Sequence, residues 1–124
     1  MESAGTWADA NLPPTAQAIQ FCRKKGWSIE GHRSREVNAA VLENADLILT
    51  MTHGQQEALG VEFPQVKHRV VLLSQACDRQ SYDISDPLEN LATDWNAVGS
   101  EICSLITKGF YQICRLALKN AASQ

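Results

Sequence analysis

Cysteine can supply a nucleophile or a metal ligand, and the chain has four cysteines. Cys22, Cys77, Cys103 and Cys114 are separated by 55, 26 and 11 residues. This spacing contains no C-x-x-C pair, and no histidine stands near a cysteine at zinc-ligand spacing. Cys103 and Cys114 fall in an apolar helical pattern, where a free cysteine usually packs as a small hydrophobic side chain. The cysteine pattern therefore predicts neither a metal site nor a disulfide framework.

Several other polar or aromatic residues could do chemistry, but each also has a structural interpretation. Asp86 precedes a proline, and an Asp–Pro step before a helix is a good N-cap. His32 stands beside arginines, a pattern typical of a solvated surface. Ser3 and Trp7 are compatible with a strand-end hydroxyl and an aromatic ring that covers a sheet edge. Residue type alone assigns no role to any of them.

The elements that position these residues alternate between helix and strand. Helical periodicity covers residues 15–25, 35–44, 53–59 and the last third of the chain. Pro13 and Pro14 resemble a helix start, Gly26 a helix stop and Ser34 an N-cap. The final helix carries an apolar stripe at intervals near 3.5 residues. Its members are Leu91, Trp95, Val98, Ile102, Leu105, Ile106, Phe110, Ile113 and Leu116.

Two continuous apolar runs predict strands that are buried on both faces. They are "ADLILTMT" (residues 45–52) and "RVVLLS" (residues 69–74). A helix joins them, which favours parallel pairing with a right-handed crossover. The polar stretch "QACDRQSYDISDP" then leaves the carboxyl end of the second strand, where open α/β sheets commonly place their active sites. Two parallel strands alone make a poor sheet, so a further strand is expected.

Composition narrows the class of protein. The chain has 124 residues, a formal charge of -3 and 44% hydrophobic residues. These values favour one globular domain and disfavour a nucleic-acid partner. No apolar run approaches the roughly 18 residues of a membrane span, and the polar N-terminus does not resemble a secretory signal. We therefore expect a soluble cytoplasmic domain with no membrane partner.

The order of several motifs resembles the low-molecular-weight protein tyrosine phosphatase family. The motifs are "ESAGTWA", "PPTAQAI", "GWSIEGHRSR", "ENADLILTMT", "RVVLLS" and "DISDP". The resemblance implies a three-layer α/β/α fold around a small parallel sheet of strand order 2-1-3-4. Residues 2–4 would end the second strand of that sheet, and the two apolar runs would form the third and fourth strands. Its first strand would precede Met1, so residues 1–124 are expected to form one domain that is incomplete at the N-terminus.

The nucleophile that the resemblance implies has no match in the printed sequence. In the family a C-x5-R loop opens a helix, binds the phosphate dianion and supplies a thiolate. Six residues after the four cysteines stand Ser28, Asp83, Gly109 and Asn120, and none is arginine. We therefore expect the chain as given to be inactive.

The supporting part of the family's active site has matches in the chain. Asp86 matches the general acid, which protonates the leaving group and later activates water. Asp83 is the rival acid and ranks second, because it does not precede the proline. Ser3 and His32 match residues that hold the phosphate loop. The resemblance implies no metal or organic cofactor.

Two further residues would lie at the rim of the substrate pocket. Trp7 matches a variable loop where an aromatic ring suits contact with phosphotyrosine. Leu88 stands where relatives often carry an aromatic residue, and this departure weakens a phosphotyrosine preference. The implied substrate is a phosphotyrosine protein or a small phosphomonoester.

Two other functions remain open on the sequence. One is a catalytically dead binding or regulatory module, whose exposed sheet edge is completed by self-association or by a partner's strand. The other is an arsenate reductase, which shares the fold and the type of loop. The "HRSR" and "DISDP" stretches favour the phosphatase branch over arsenate reduction.

Overall fold

The computed structural model describes residues 2–5, 10–86 and 94–122. The chain alternates short helices with two strands and ends in one long helix. The elements in chain order are α1 (Ala16–Lys24), α2 (Ala39–Glu43), β1 (Ile48–Thr50), α3 (His53–Glu62), a 3-10 helix (Pro64–Arg69), β2 (Val70–Leu72), α4 (Leu73–Asp78) and α5 (Trp95–Ala122).

Strands β1 and β2 pair in parallel, as the sequence predicted, with Leu49 opposite Val71. Alternate side chains point to opposite faces of the pair. One face, which includes Ile48 and Val70, packs with side chains of α2, α3 and the 3-10 helix. The other face, through Leu49 and Val71, packs with α4 and α5. The sheet therefore lies between two layers of helices.

Side-chain caps fix where the helices of the first half begin. The Thr15 hydroxyl accepts from the Ala18 amide at 3.3 Å and caps α1, which ends before Gly26 at φ +80°. α2 is capped by Asn38 and begins later than predicted. The predicted cap, Ser34, instead accepts a hydrogen bond from the Leu12 amide at 3.0 Å. The prediction for α2 was wrong at its start because the Ser34 hydroxyl is used between two loops.

The strands are shorter than the sequence predicted. β2 stops at Leu72 and α4 begins at Leu73, within the stretch predicted as strand and polar loop. Leu73, Ala76 and Cys77 are all buried, and their spacing of three and four residues is that of one helix face. Burial of this face explains why the chain turns to helix directly after the strand.

The strand that residues 2–4 were expected to end is absent from the described residues. At positions 2–5 the structure has one isolated parallel bridge, between Gly5 and Glu36. The Gly5 amide donates to Arg35 O at 2.9 Å, and Gly5 O accepts from the Val37 amide at 3.0 Å. One bridge with two hydrogen bonds is too short to form a strand.

The long helix α5 packs closely on two other helices. A Cβ added at Gly109 would overlap the backbone and side chain of Cys77 in α4, and one at Gly99 would meet the ring of Phe21 in α1. Val98 and Leu105 are buried on this face, as predicted, whereas Phe110 is 59% exposed. Phe110 leaves the predicted apolar stripe because successive helical residues are about 100° apart and Gly109 occupies the packed face.

Candidate active site at the carboxyl edge of the sheet

The candidate site is built where the two parallel strands end. β1 and β2 end at the same edge because they run in the same direction. From this edge the chain enters α3 after Thr52 and α4 directly after Leu72. The segment from 79 to 86 then returns across the edge. Such edges are where open α/β sheets commonly bind ligands.

Three consecutive residues anchor the returning segment. The Ser74 hydroxyl donates to Tyr82 O at 2.7 Å and accepts from the Tyr82 amide at 3.1 Å. Asp83 binds the start of α3. The Ile84 amide donates to Met51 O at 2.9 Å, and the Ile84 side chain is buried in the core beneath α5. The segment is therefore fixed to α4, α3 and the end of β1 in turn.

The first turn of α3 has two caps. Thr52 and Gln55 form a capping box in which the Thr52 hydroxyl accepts from the Gln55 amide at 3.1 Å. Asp83 Oδ1 lies 2.7 Å from the His53 amide nitrogen and 2.7 Å from His53 Nδ1. Hydrogen bonds from the His53 backbone and ring hold the pKa of Asp83 below its ordinary value. Asp83 is thus held as a carboxylate at the positive end of a helix.

Asp86, the predicted general acid, lies two residues beyond the last anchor. Asp86 is an exposed residue, so a substrate could reach it. The following proline lies outside the described residues. The acid role of Asp86 stays a prediction, and its position two residues after the Ile84 anchor is compatible with that role.

Ser3 and His32, predicted to support a phosphate loop, are both exposed. The Ser3 carbonyl accepts from Arg35 Nε at 3.0 Å. The His32 amide donates to Ile29 O at 2.9 Å in a turn. No hydrogen bond among the described residues joins Ser3 to His32 or either of them to Asp86, so their supporting role stays a prediction.

The two residues predicted at the rim of the substrate pocket, Trp7 and Leu88, lie outside the described residues.

The cysteines occupy packing positions. Cys77 is buried and the other three are half-buried. Burial, with a smaller contribution from the charge of Asp78, raises the pKa of the Cys77 thiol, which disfavours a reactive thiolate. Within residues 2–5, 10–86 and 94–122, no three His, Cys, Asp or Glu side chains are grouped to hold a metal ion.

A buried hydroxyl marks the end of β1. Thr50 is 5% exposed, and its Oγ1 has no hydrogen-bond partner among the described residues. A buried polar group without a partner costs free energy. This hydroxyl therefore lowers the stability of the end of β1 in the described part of the chain.

The pair formed by His53 and Asp83 was missed by sequence reasoning. Asp83 was considered only as a rival acid, and His53 only as a helix residue. The signal available was the T-x-x-Q capping box that starts at Thr52, which marks a helix start where a carboxylate is favoured. It does not identify which carboxylate, because 30 residues separate His53 from Asp83.

Comparison with known proteins decides the family. The sequence profile described as "Low molecular weight phosphotyrosine protein phosphatase" matches residues 1–119. The chain belongs to this family. The predicted family membership is therefore confirmed.

Curated proteins named as arginine phosphatases and as tyrosine phosphatases are similar to the chain. It is 28% identical over 87 residues to a protein-arginine-phosphatase of Bacillus subtilis, a match that covers 70% of this chain and 57% of the relative. It is 30% identical over 87 residues to the low-molecular-weight protein-tyrosine-phosphatase Etp of Escherichia coli, again covering 70% of this chain and 57% of the relative. The chain thus matches somewhat more than half the length of these relatives.

Solved structures of the same phosphatase family share the fold. The YwlE arginine phosphatase of Geobacillus stearothermophilus superposes with a TM-score of 0.79 at 26% identity. That superposition covers 99% of this chain and 75% of the other. It confirms the α/β fold with a small parallel sheet, while the predicted strand order 2-1-3-4 stays a prediction. Among the helices that the structure describes, none has the length and hydropathy needed to cross a bilayer.

Proposed function

We propose that the protein is a phosphatase of phosphorylated protein side chains and that Asp86 is its general acid. The observation that carries this proposal is the family match over residues 1–119. The anchored segment supports it, because that segment is fixed at the carboxyl edge of the sheet through Ile84 and reaches the exposed Asp86 two residues later.

The proposed reaction passes through a cysteinyl phosphate. A cysteine thiolate attacks phosphorus while Asp86 gives its proton to the leaving group. Asp86 then takes a proton from water, which attacks the cysteinyl phosphate and releases phosphate and the thiolate. The printed sequence holds no C-x5-R loop. We therefore propose that these residues alone are inactive and that the complete reaction needs such a loop from additional sequence.

Phosphotyrosine and phosphoarginine are the two candidate substrates. Relatives named as tyrosine phosphatases and as arginine phosphatases match with similar identity. The leaving atom is oxygen in the first substrate and nitrogen in the second, and Asp86 can protonate either.

The test compares two proteins. One is the printed chain, and the other is the protein purified from its source cells through a C-terminal tag. Both are assayed with phosphotyrosine and phosphoarginine peptides. We expect turnover by the cell-derived protein and none by the printed chain. Turnover by neither protein would contradict the proposed function.

Substitution of Asp86 tests its role in the cell-derived protein. We expect Asp86→Asn to lower kcat/KM by about 10²–10⁴-fold, because proton transfer to the leaving group is lost. Glu62→Gln is the matched control, since Glu62 is an exposed carboxylate at the end of α3. Equal activity of Asp86→Asn and Glu62→Gln would exclude Asp86 as the acid, and Asp83 would be tested next.

A binding or regulatory module is the second candidate function. It is favoured by β1, which among the described residues pairs with β2 alone. A strand added at this edge is a known mode of recognition. A cell-derived protein that matches the printed chain in mass, lacks phosphatase activity and forms a stable complex would support this function over catalysis.

A further inference from the structure

One of the three anchors of the segment before Asp86 is a side-chain carboxylate oxygen. Asp83 Oδ1 accepts from both the amide and the ring Nδ1 of His53. The neighbouring anchors at Tyr82 and Ile84 use backbone groups. Among the three anchoring residues, Asp83 is therefore the one whose own side chain makes the hydrogen bonds.

The position of His53 favours a carboxylate partner, although both side chains of the pair are 54% exposed. His53 is the first residue of α3, and amide groups in the first turn have no partner within the helix. A carboxylate there also lies at the positive end of the helix dipole. The His53 ring supplies a second donor to the same carboxylate oxygen. Loss of the Asp83 carboxylate would leave both groups of His53 to water.

We propose that His53 and Asp83 form a latch that positions Asp86 for proton transfer to the leaving group. The inference rests on the proposed function, because Asp86 acts as an acid only in that reaction. In this account His53 and Asp83 are positioning residues and do not contact the substrate.

Other charged side chains lie near the latch, so a test must separate loss of its hydrogen bonds from a general change in charge. Glu57 of α3 and Lys67 of the 3-10 helix line an open groove beside His53, with a volume of about 510 Å³. Both are exposed. A variant of either residue changes the charge near His53 without removing a hydrogen bond of the latch. Glu57→Gln therefore separates a general charge effect from loss of the latch.

The test uses the cell-derived protein and two substrates that differ in their need for an acid. Phenyl phosphate has a poor leaving group, whereas p-nitrophenyl phosphate has a good one. We expect Asp83→Ala to lower kcat/KM for phenyl phosphate by about 10–100-fold, and for p-nitrophenyl phosphate by less than about threefold. Asp83→Asn keeps an acceptor oxygen and should recover much of the loss. His53→Ala removes only the ring and should give an intermediate effect.

Three outcomes are informative. The selective loss supports the latch if two controls stay close to wild type. One is Glu57→Gln, and the other is Glu30→Ala, which breaks an exposed ion pair between Arg23 and Glu30. An equal loss for both substrates, or no loss in Asp83→Ala and His53→Ala, overturns the latch and leaves the phosphatase function in place. A wild-type protein without activity on either substrate overturns the proposed function and the latch with it. Thermal melts of each variant show whether it is folded.

Discussion

At the residue scale, the surroundings of a polar group determine its pKa and its effect on the stability of the fold. Asp83 has its pKa lowered by the two hydrogen bonds from His53. Cys77 has its pKa raised by burial. Thr50 Oγ1 is buried at the end of β1 without a partner in the described part of the chain. The first two effects favour a charged carboxylate and a neutral thiol, and the third weakens the fold.

The lowered pKa of Asp83 predicts how stability depends on pH. The carboxylate stabilises the folded chain at pH values above its ordinary pKa of about 4, and this contribution is lost as pH falls through the lower folded pKa. We expect the Tm of wild type to exceed that of Asp83→Asn near neutral pH. The difference should shrink as the pH falls below about 4 and vanish once the carboxyl is protonated in the folded chain as well. Circular dichroism melts across this range measure it, and a pH-independent difference would contradict the interpretation.

The Thr50 hydroxyl predicts a stabilising substitution, and a nearby threonine provides a control that should be destabilising. Thr50→Val removes a buried unpartnered oxygen and should raise the free energy of unfolding of the printed chain by about 1–3 kcal/mol. Thr52→Val is the same substitution two residues later, where the hydroxyl caps α3, and it should lower stability by about 1 kcal/mol. Urea denaturation measures both. Destabilisation by Thr50→Val would show that this hydroxyl has a partner.

At the element scale, the packing of α5 on α4 depends on one glycine. Gly109 is buried, and its Cα lies against the backbone of Cys77. The sequence indicates only that glycine weakens a helix by about 1 kcal/mol relative to alanine. The structure shows that absence of a Cβ is required here, because backbone cannot move aside as a flexible side chain can.

Substitution of this glycine tests the contact. Gly109→Ala should destabilise the chain by about 1–3 kcal/mol, because the added methyl group forces α4 and α5 apart. Gly54→Ala is the control within α3, where an added Cβ meets its nearest atom, Thr52 Oγ1, at 3.8 Å. That change should stabilise the chain by up to about 1 kcal/mol. Gly109→Ala with unchanged stability in urea would show that the helices pack less closely.

Local sequence patterns predicted which helices and strands form, whereas long-range contacts determine where several of them begin and end. Thr15 and Gly26 bound α1 as expected, since a cap and a positive φ depend on a few neighbouring residues. The start of α4 could not be read from "RVVLLSQAC", because a short apolar run fits strand or helix equally well. In the candidate site, Asp86 was found through resemblance. The contact between Asp83 and His53 could not be predicted from the sequence, because it depends on how two segments 30 residues apart are placed side by side.

At the scale of the whole molecule, the fold has apolar and backbone groups that the described residues do not cover. In residues 2–5, 10–86 and 94–122 the sheet has two strands, and parallel sheets are usually larger and buried. On α5, Phe110, Tyr111 and Leu118 are 59%, 74% and 71% exposed. Large exposed apolar patches and open strand edges are typical of surfaces that associate with another chain or segment.

These uncovered groups predict the solution behaviour of the printed chain. We expect the 124 residues, produced alone, to form concentration-dependent oligomers, because association removes apolar surface from water and pairs the open strand edge. Size-exclusion chromatography with light scattering measures this over a range of protein concentrations. The double variant Phe110→Ser/Leu118→Ser should shift the chain toward monomer, whereas the exposed control Glu62→Gln should not. A monodisperse monomer that melts sharply at every concentration would contradict the prediction and would show that the two-stranded sheet is sufficient for a stable fold.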